Sequence, residues 1–477
     1  MDAQMLIAGE PVPGEGARIA IHDPFRDELV ATVPDATPAE LERALAAAEA
    51  GARQMARSSA GERAAILERV AELVAAEAEE LAVTIVREQG KTLGEARREV
   101  GRVPDLLRLC AGEARRIGGE TVPLDQGADG IGRLGLTLRV PVGVVVAITP
   151  FNYPLLLVAH KLGPAFAAGN AVILKPATTT PLSGLRLAQL FAEAGAHPGA
   201  MQCVTGSGSR VGMPLCADPR VRAITFTGSE PAGAAIVAGS GVKHHLMELG
   251  ANCPLIVAAD ADLAQAADAT AIGGYSNAGQ ACISAQRILV ERAVYEDFLD
   301  VLAARVGRIS AGDPMTDEAT MGPLIDAGEA ERVAAIVAQA TAAGGRVVQG
   351  GERDGSLHAP TIVADVAPDS RLFCEELFGP AVGVTPVDSL DEALALANRS
   401  EYGLGAGIFT RDIHAALRFV REIEAGVIQI NWSPLWRADS MPYGGLKRSG
   451  IGKEGPRWAV EELTELKTVV FHPPPEN

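Results

Sequence analysis

A chain of 477 residues, 48% of them hydrophobic, holds more apolar material than one core uses, so two or more domains are expected. Its 60 Asp and Glu against 42 Lys and Arg give a formal net charge of -18, which lacks the basic footprint that nucleic acid or an anionic membrane surface requires. Six cysteines, Cys110, Cys203, Cys216, Cys253, Cys282 and Cys374, occur without a CxxC pair or clustered histidines, so neither a disulfide framework nor a metal site is expected, and the cytoplasm is the expected compartment.

Residues 1–14 carry no basic or apolar segment of secretory type. Thr37-Pro38-Ala39-Glu40 and Ser59-Ala60-Gly61-Glu62 each set a capping hydroxyl three residues before a returning glutamate, which predicts helix starts. The second helical pattern runs through residues 63–90, where Ile66, Val70, Leu73 and Val74 recur at helical spacing. Residues 140–160 contain no Asp, Glu, Lys or Arg and approach the length of a membrane span. Pro141, Pro150, Asn152 and Pro154 would leave backbone groups unsatisfied in lipid, so a buried strand followed by a turn is expected there instead.

From residue 139 onward, short β-branched runs (VGVVVAIT, AVILKP, AITFTG, PLIVAA, RILVER) alternate with Ala-rich helical stretches. That is the pattern of parallel strands with crossover helices, hence of an α/β fold. The runs LGLTLRV at 134–140 and TELKTVVF at 464–471 suit an edge ribbon, and such edges invite a second subunit.

Four local patterns carry chemistry. Gly279-Gln280-Ala281-Cys282 sets a thiol among small residues after a helix-like segment, where it can be exposed and activated, although a lone cysteine more often fills a core. Met247-Glu248-Leu249-Gly250 sets a carboxyl between apolar residues, which raises its pKa and suits it to take a proton from water; alone, the tetrapeptide reads as a helix end. Pro150-Phe151-Asn152-Tyr153-Pro154 fixes an amide at the end of a buried strand, a donor for an oxyanion or simply a turn former. Lys175-Pro176-Ala177-Thr178 after a strand, and Phe226-Thr227-Gly228-Ser229 before a helix, suit ribose and pyrophosphate oxygens, but neither matches GxGxxG. Gly206-Ser207-Gly208 misses that fingerprint too and reads as a turn.

In combination and in order, these motifs resemble the aldehyde dehydrogenase superfamily over nearly the whole chain. The resemblance implies that Cys282 is the nucleophile, Glu248 the base and Asn152 the oxyanion donor. It implies cofactor contacts from Thr149, Pro150, Phe151, Lys175, Pro176, Ala177, Thr178, Gly228, Ser229 and Leu249, and from Glu376 and Phe378 of Glu375-Glu376-Leu377-Phe378-Gly379-Pro380. Pro442-Tyr443-Gly444-Gly445 and Ser449-Gly450 complete the set.

The implied fold joins a discontinuous Rossmann-like cofactor domain (1–119 and 141–248), an α/β catalytic domain (249–450) and a small β-ribbon oligomerisation element with tail (120–140 and 451–477) in a homodimer or homotetramer. The implied reaction oxidises an aldehyde to an acid through a Cys282 thioester, without metal. Two alternatives are an acylating enzyme that passes the thioester to coenzyme A, whose members generally lack the glutamate, and a catalytically silent protein on the same fold. Two departures stand out. Ala251 replaces a usual glycine, and Thr178 stands where NAD-preferring members commonly have Glu, which removes repulsion of a 2′-phosphate and favours NADP over NAD. For the substrate, Arg437, Arg108 and His160 are candidates to line the aldehyde entrance and favour a small polar or acidic aldehyde; each also suits an ordinary surface or packing role.

Overall fold

The computed structural model describes residues 2–473. Eight strands form one sheet, in the order Glu10–Val12, Met5–Ile7, Met201–Cys203, Ala171–Lys175, Val144–Ile148, Val221–Thr227, His244–Glu248, Gly450–Ile451. The five from Met201–Cys203 to His244–Glu248 are parallel. Val144–Ile148 and Ala171–Lys175 are buried at every position, because helices cover both faces. Val144, Val146 and Ile148 pack toward Leu41, Ala44 and Leu45 of the helix Pro38–Met55. Val145 and Ala147 face the other way, into a core with Leu162, Phe166, Leu187 and Phe191.

A second sheet runs Arg346–Gln349, Thr361–Ala364, Ala381–Val387, Ala285–Glu291, Cys253–Val257, Gly405–Phe409, Val427–Ile430, parallel except at Arg346–Gln349. The chain passes from the first sheet to the second through Leu249, Gly250, Ala251 and Asn252 alone. The carboxyl ends of the first sheet's strands therefore face the amino ends of the second's.

The expected ribbon is present: Leu134–Pro141 pairs antiparallel with Thr464–Phe471, from Leu134 opposite Phe471 to Pro141 opposite Thr464, and Thr121–Val122 adds a third strand. The rest of the tail is not ribbon. Gly450–Ile451 joins the first sheet, and Val460 and Leu463 are buried in the core of Leu162 and Phe166. Residues 474–477 lie outside the described residues.

Both expected capping boxes form, at Thr37/Glu40 and Ser59/Glu62. The helical pattern of 63–90, however, is two helices, Ala60–Ala76 and Ala78–Gln89, broken at Glu77. Glu77 leaves helical geometry at φ -102°, ψ 16°, and its carboxylate takes the guanidinium of Arg186, at 2.7 Å from Nε, so a tertiary ion pair overrides helical periodicity. A third capping box, Thr92/Glu95, opens the helix Leu93–Ala114. Among the described residues no helix is long and apolar enough to cross a membrane.

Candidate active site

Strand order in the first sheet reverses between Val144–Ile148 and Val221–Thr227, each flanked by the crossover that leaves the other side, so a crevice opens beyond their carboxyl ends. A cleft of about 570 Å³ fills it. Its walls include Thr149, Pro150 and Phe151 after one strand, Gly228 and Ser229 after the other, and Ala177, Thr178, Leu249, Glu376 and Phe378. The helix Glu230–Ser240 opens at Ser229 with no side-chain cap, which turns its unsatisfied N–H groups and positive dipole end toward the cleft. A Cβ on Gly233 would stand 2.4 Å from Leu249 Cδ2, so a larger residue there would require the Leu249 side chain to shift. Thr149 Oγ1 and Thr227 Oγ1 are buried without a hydrogen-bond partner among the described residues. A glycine turn at a helix N-terminus, orphaned hydroxyls and this volume fit a dinucleotide.

Lys175 and Pro176 are not on the cleft's surface. Lys175 Nζ is buried, donates to Pro176 O at 2.9 Å, and is lowered to about 8 by desolvation. Thr178 Oγ1 donates to Gly206 O at 3.1 Å, on the turn whose Arg210 is ion-paired with Asp35. That turn was legible only as a turn, and Arg210 carried no sequence signal beyond its charge.

A second chamber of about 370 Å³ meets the first at Asn152 and Cys282. The loop before Cys282 is built under constraint: Asn277, Ala278 and Gly279 have φ of 52°, 53° and 69°. Left-handed geometry at the two non-glycine positions costs about 1–3 kcal/mol each and persists only where surroundings over-determine it. Here they do. Glu95 accepts from Asn277 N at 2.7 Å, while Asn277 Nδ2 donates to Asn152 O at 3.0 Å and Gln280 O at 3.2 Å. Gln280 spans the loop, donating from Nε2 to Asn277 O at 3.0 Å and accepting from Ile325 N at 2.9 Å. Lys91 Nζ donates to Asn152 O at 2.7 Å and to Glu99 at 2.6 Å, and Glu99 receives Leu155 N and Leu156 N at 3.0 and 3.1 Å. Asn152 Nδ2 reaches Gln280 O at 2.9 Å, and its Oδ1 has no partner among the described residues.

Cys282 is half-buried, not exposed, and desolvation pushes its thiol up to about 12. This corrects the expectation of an exposed, activated thiol: the small neighbours that suggested access lie at the foot of a cleft walled by both sheets. Tyr443 Oη, 2.9 Å from Sγ, opposes the shift, while Glu248 and Glu376 reinforce it. Glu248 is buried, with neither carboxylate oxygen hydrogen-bonded among the described residues. Burial first, then the charge of Glu454, holds it well above the ordinary carboxylate range. It faces Gly444, where a Cβ would stand 2.7 Å from Oε1. Glu376 accepts from Ala251 N at 2.9 Å, and burial raises it to about 7. The Ala251 methyl sits in an apolar cluster with Cys253, Ile283 and Leu404. Phe378 packs edge-on to Phe151, ring centroids 5.7 Å apart.

Of the three substrate candidates, Arg437 alone lines the second chamber. Arg108 is exposed and pairs with Asp105 at 2.9 Å, because it falls on a different face of its helix from Arg98 and Arg102, which do line the chamber. His160 is buried behind the wall: Nδ1 accepts from Arg437 at 3.2 Å and Nε2 bonds Asp439 at 3.0 Å. Desolvation and then Arg437 lower it to about 4, so the ring is neutral at pH 7. Arg437 also reaches Glu454 at 3.2 Å, and Lys161 holds the other Glu454 oxygen at 3.0 Å.

A profile for the Aldehyde dehydrogenase family matches residues 12–469. The chain is 41% identical over 455 residues, 95% of each chain, to a 3-sulfolactaldehyde dehydrogenase of Priestia aryabhattai. Its structure is similar, at TM-score 0.95 and 36% identity over 98% of each chain, to aldehyde dehydrogenase 21 of Physcomitrella patens in complex with the reaction product succinate. It is also similar, at TM-score 0.96 and 34% identity over 99% of each chain, to an NADP-dependent glyceraldehyde-3-phosphate dehydrogenase of Bacillus halodurans C-125 complexed with NADP.

The Tyr443 contact sets a measurable reactivity. Because that hydrogen bond lowers the Cys282 pKa, Tyr443→Phe is expected to slow alkylation of Cys282 by iodoacetamide several-fold near pH 8 and to move the rate's rise to higher pH. An unchanged pH profile would show that the hydroxyl does not act on the thiol.

Proposed function

The chain belongs to the aldehyde dehydrogenase family, as an NAD(P)-dependent enzyme that oxidises an aldehyde to a carboxylic acid, and on that premise we propose roles for its residues. The observation that carries them is the meeting of two chambers at Cys282 and Asn152, one shaped for a dinucleotide and the other closed by Tyr443 and Arg437.

Cys282 gives up its proton and adds to the aldehyde carbon. Desolvation raises the thiol to about 12, so loss of its proton to solvent is part of the attack. Asn152 Nδ2 turns from Gln280 O, 2.9 Å away, to the developing oxyanion, while the bonds on its backbone carbonyl keep the residue in place. Glu376 and Phe378 would hold the nicotinamide, which when bound would supply the two-electron acceptor for the aldehyde hydrogen. A thioester on Cys282 remains. Glu248, proton-hungry because it is buried beside Glu454, takes a proton from water as that water attacks the thioester. The presence of this carboxyl favours water over coenzyme A as acceptor, and the retained Cys282, Glu248 and Asn152 argue against a silent protein.

For the cofactor we favour NADP: Thr178 brings no negative charge to the adenosine ribose, and Arg210 lies on the turn it bonds. The related Bacillus halodurans enzyme holds NADP. The three-part division by residue number stated above is proposed with one change, that Gly450–Ile451 and the helix Pro456–Glu462 go with the cofactor domain. We read the chain as a homodimer or homotetramer, a reading supported by unpaired edges: the ribbon's exposed Leu466 and Phe471 and the outer strand Val427–Ile430 of the second sheet are available to another copy. We place the enzyme in the cytoplasm, where its unpaired cysteines suit a reducing medium.

Glu248→Gln is expected to leave the first turnover of NAD(P)H formation intact and to lower steady-state turnover by at least about a hundredfold. In the native enzyme, Glu248 is protonated and idle below its raised pKa, so the deacylation rate rises with pH, and the variant loses that rise. Undiminished steady-state turnover in the variant would remove Glu248 from the role. Thr178→Glu is expected to lower kcat/KM for NADP by about tenfold or more while sparing NAD, through repulsion of the 2′-phosphate; equal effects on both cofactors would place residue 178 away from that phosphate.

A further inference from the structure

We propose that the second chamber selects aldehydes whose far end carries an anionic oxygen group, a carboxylate, sulfonate or phosphonate, held by Arg98 and Arg437. The proposal rests on the reading of Cys282 and its two chambers given above and names the substrate class of that site. Arg98 and Arg102 stand one turn apart on the helix Leu93–Ala114 and both line the chamber, while Arg437 enters from the opposite wall.

The chamber's acids are already matched. Glu99 spends one oxygen on Lys91 and the other on two backbone N–H groups, and Glu95 is taken by Thr92 and Asn277. Asp439 takes Arg102 at 2.6 and 3.1 Å as well as His160. Arg98, by contrast, has no ion-pair partner among the described residues. The Nε of Arg437 is buried without an acceptor among them, although Nη2 is engaged by Glu454 and His160. An uncommitted guanidinium at the mouth and an unsatisfied N–H on the wall together call for oxygen acceptors bearing negative charge.

A quaternary ammonium would seek aromatic faces. Of the chamber's four rings, the protein's own cations cover two, Lys91 Nζ lying 3.9 Å from the Tyr153 centroid and Arg437 Cζ 3.8 Å from that of Tyr443; Trp432 and Trp436 stay open, but the arginines repel a cation on its way to them. The lining also includes Leu157, Ile283 and Leu435, apolar surface for a short carbon chain.

The test compares four-carbon aldehydes that end in carboxylate, methyl or trimethylammonium, with sulfonate- and phosphonate-ended chains to rank the anions, at saturating NADP. The expected result is a kcat/KM for the anionic chains at least about tenfold above the methyl-ended one, carried mainly by KM and shrinking as salt is raised. Arg98→Glu, a surface change, is expected to lower that ratio at least about tenfold, and Arg437→Gln to lower it as well. Arg108→Ala, on the same helix but outside the chamber, is expected to leave it unchanged. A ratio near one, preference for trimethylammonium, or equal ratios in native enzyme and Arg98→Glu would overturn the proposal. If the methyl-ended aldehyde is then still oxidised, the Cys282 chemistry stands without it; oxidation of none of the aldehydes would overturn both.

Discussion

Everything at this site depends on a short stretch of backbone held where it would not otherwise stay. Asn277 and Ala278 adopt left-handed conformations that non-glycine residues avoid, and Gly279 completes the bend close against Gly379 O, where a Cβ has no room. The bend is fastened from three directions: Glu95 on its backbone N–H, Gln280 across its width, and Asn277 to the carbonyl of Asn152. Because Lys91 holds that same carbonyl, thiol loop and amide are tied to one buried cation. Two side chains from different sheets are thereby set to within the tolerance that covalent catalysis demands.

Burial then does two opposed things. It raises the pKa of the Cys282 thiol and of the Glu248 carboxyl, and it encloses two charge pairs, Lys161 with Glu454 and Arg437 with Glu454. Lys161, Arg437 and Lys453 pull Glu248 down against the stronger effects of burial and Glu454. The proposed base is accordingly poised by its surroundings and not by any direct hydrogen bond, since it has none among the described residues. Arg437 connects this reservoir to the aldehyde chamber, stacked on the ring of the same Tyr443 whose hydroxyl meets Sγ.

What the sequence revealed follows from how local each signal is. Strand runs, capping boxes and the ribbon were legible because periodicity and caps are written within a few residues. The proposed nucleophile, base and amide are named from short motifs in a fixed order. The braces were not legible: Lys91 and Glu95 meet partners 61 and 182 residues away, and nothing in Thr92-Leu93-Gly94-Glu95 beyond a capping box announces a second bond. For the same reason the sequence does not show that Arg98 lines the chamber and Arg108 does not, because helical phase relative to a cleft made by other segments is hidden in a stretch rich in charge. His160 lay in an apolar run that correctly implied burial, but its partner Asp439 is 279 residues distant. Lys175 follows its strand as expected, yet its ammonium bonds the adjacent carbonyl instead of lining the cleft.

The assignment that the rest hangs on, a covalent bond between Cys282 and the substrate carbon, is tested most directly by peptide mass spectrometry of enzyme acid-quenched during turnover. The expected result is an acyl mass increment, equal to the aldehyde less two hydrogens, on the peptide containing Cys282 and lost on treatment with hydroxylamine. Turnover with no adduct on that peptide, or an adduct on Cys253 in its place, would contradict it.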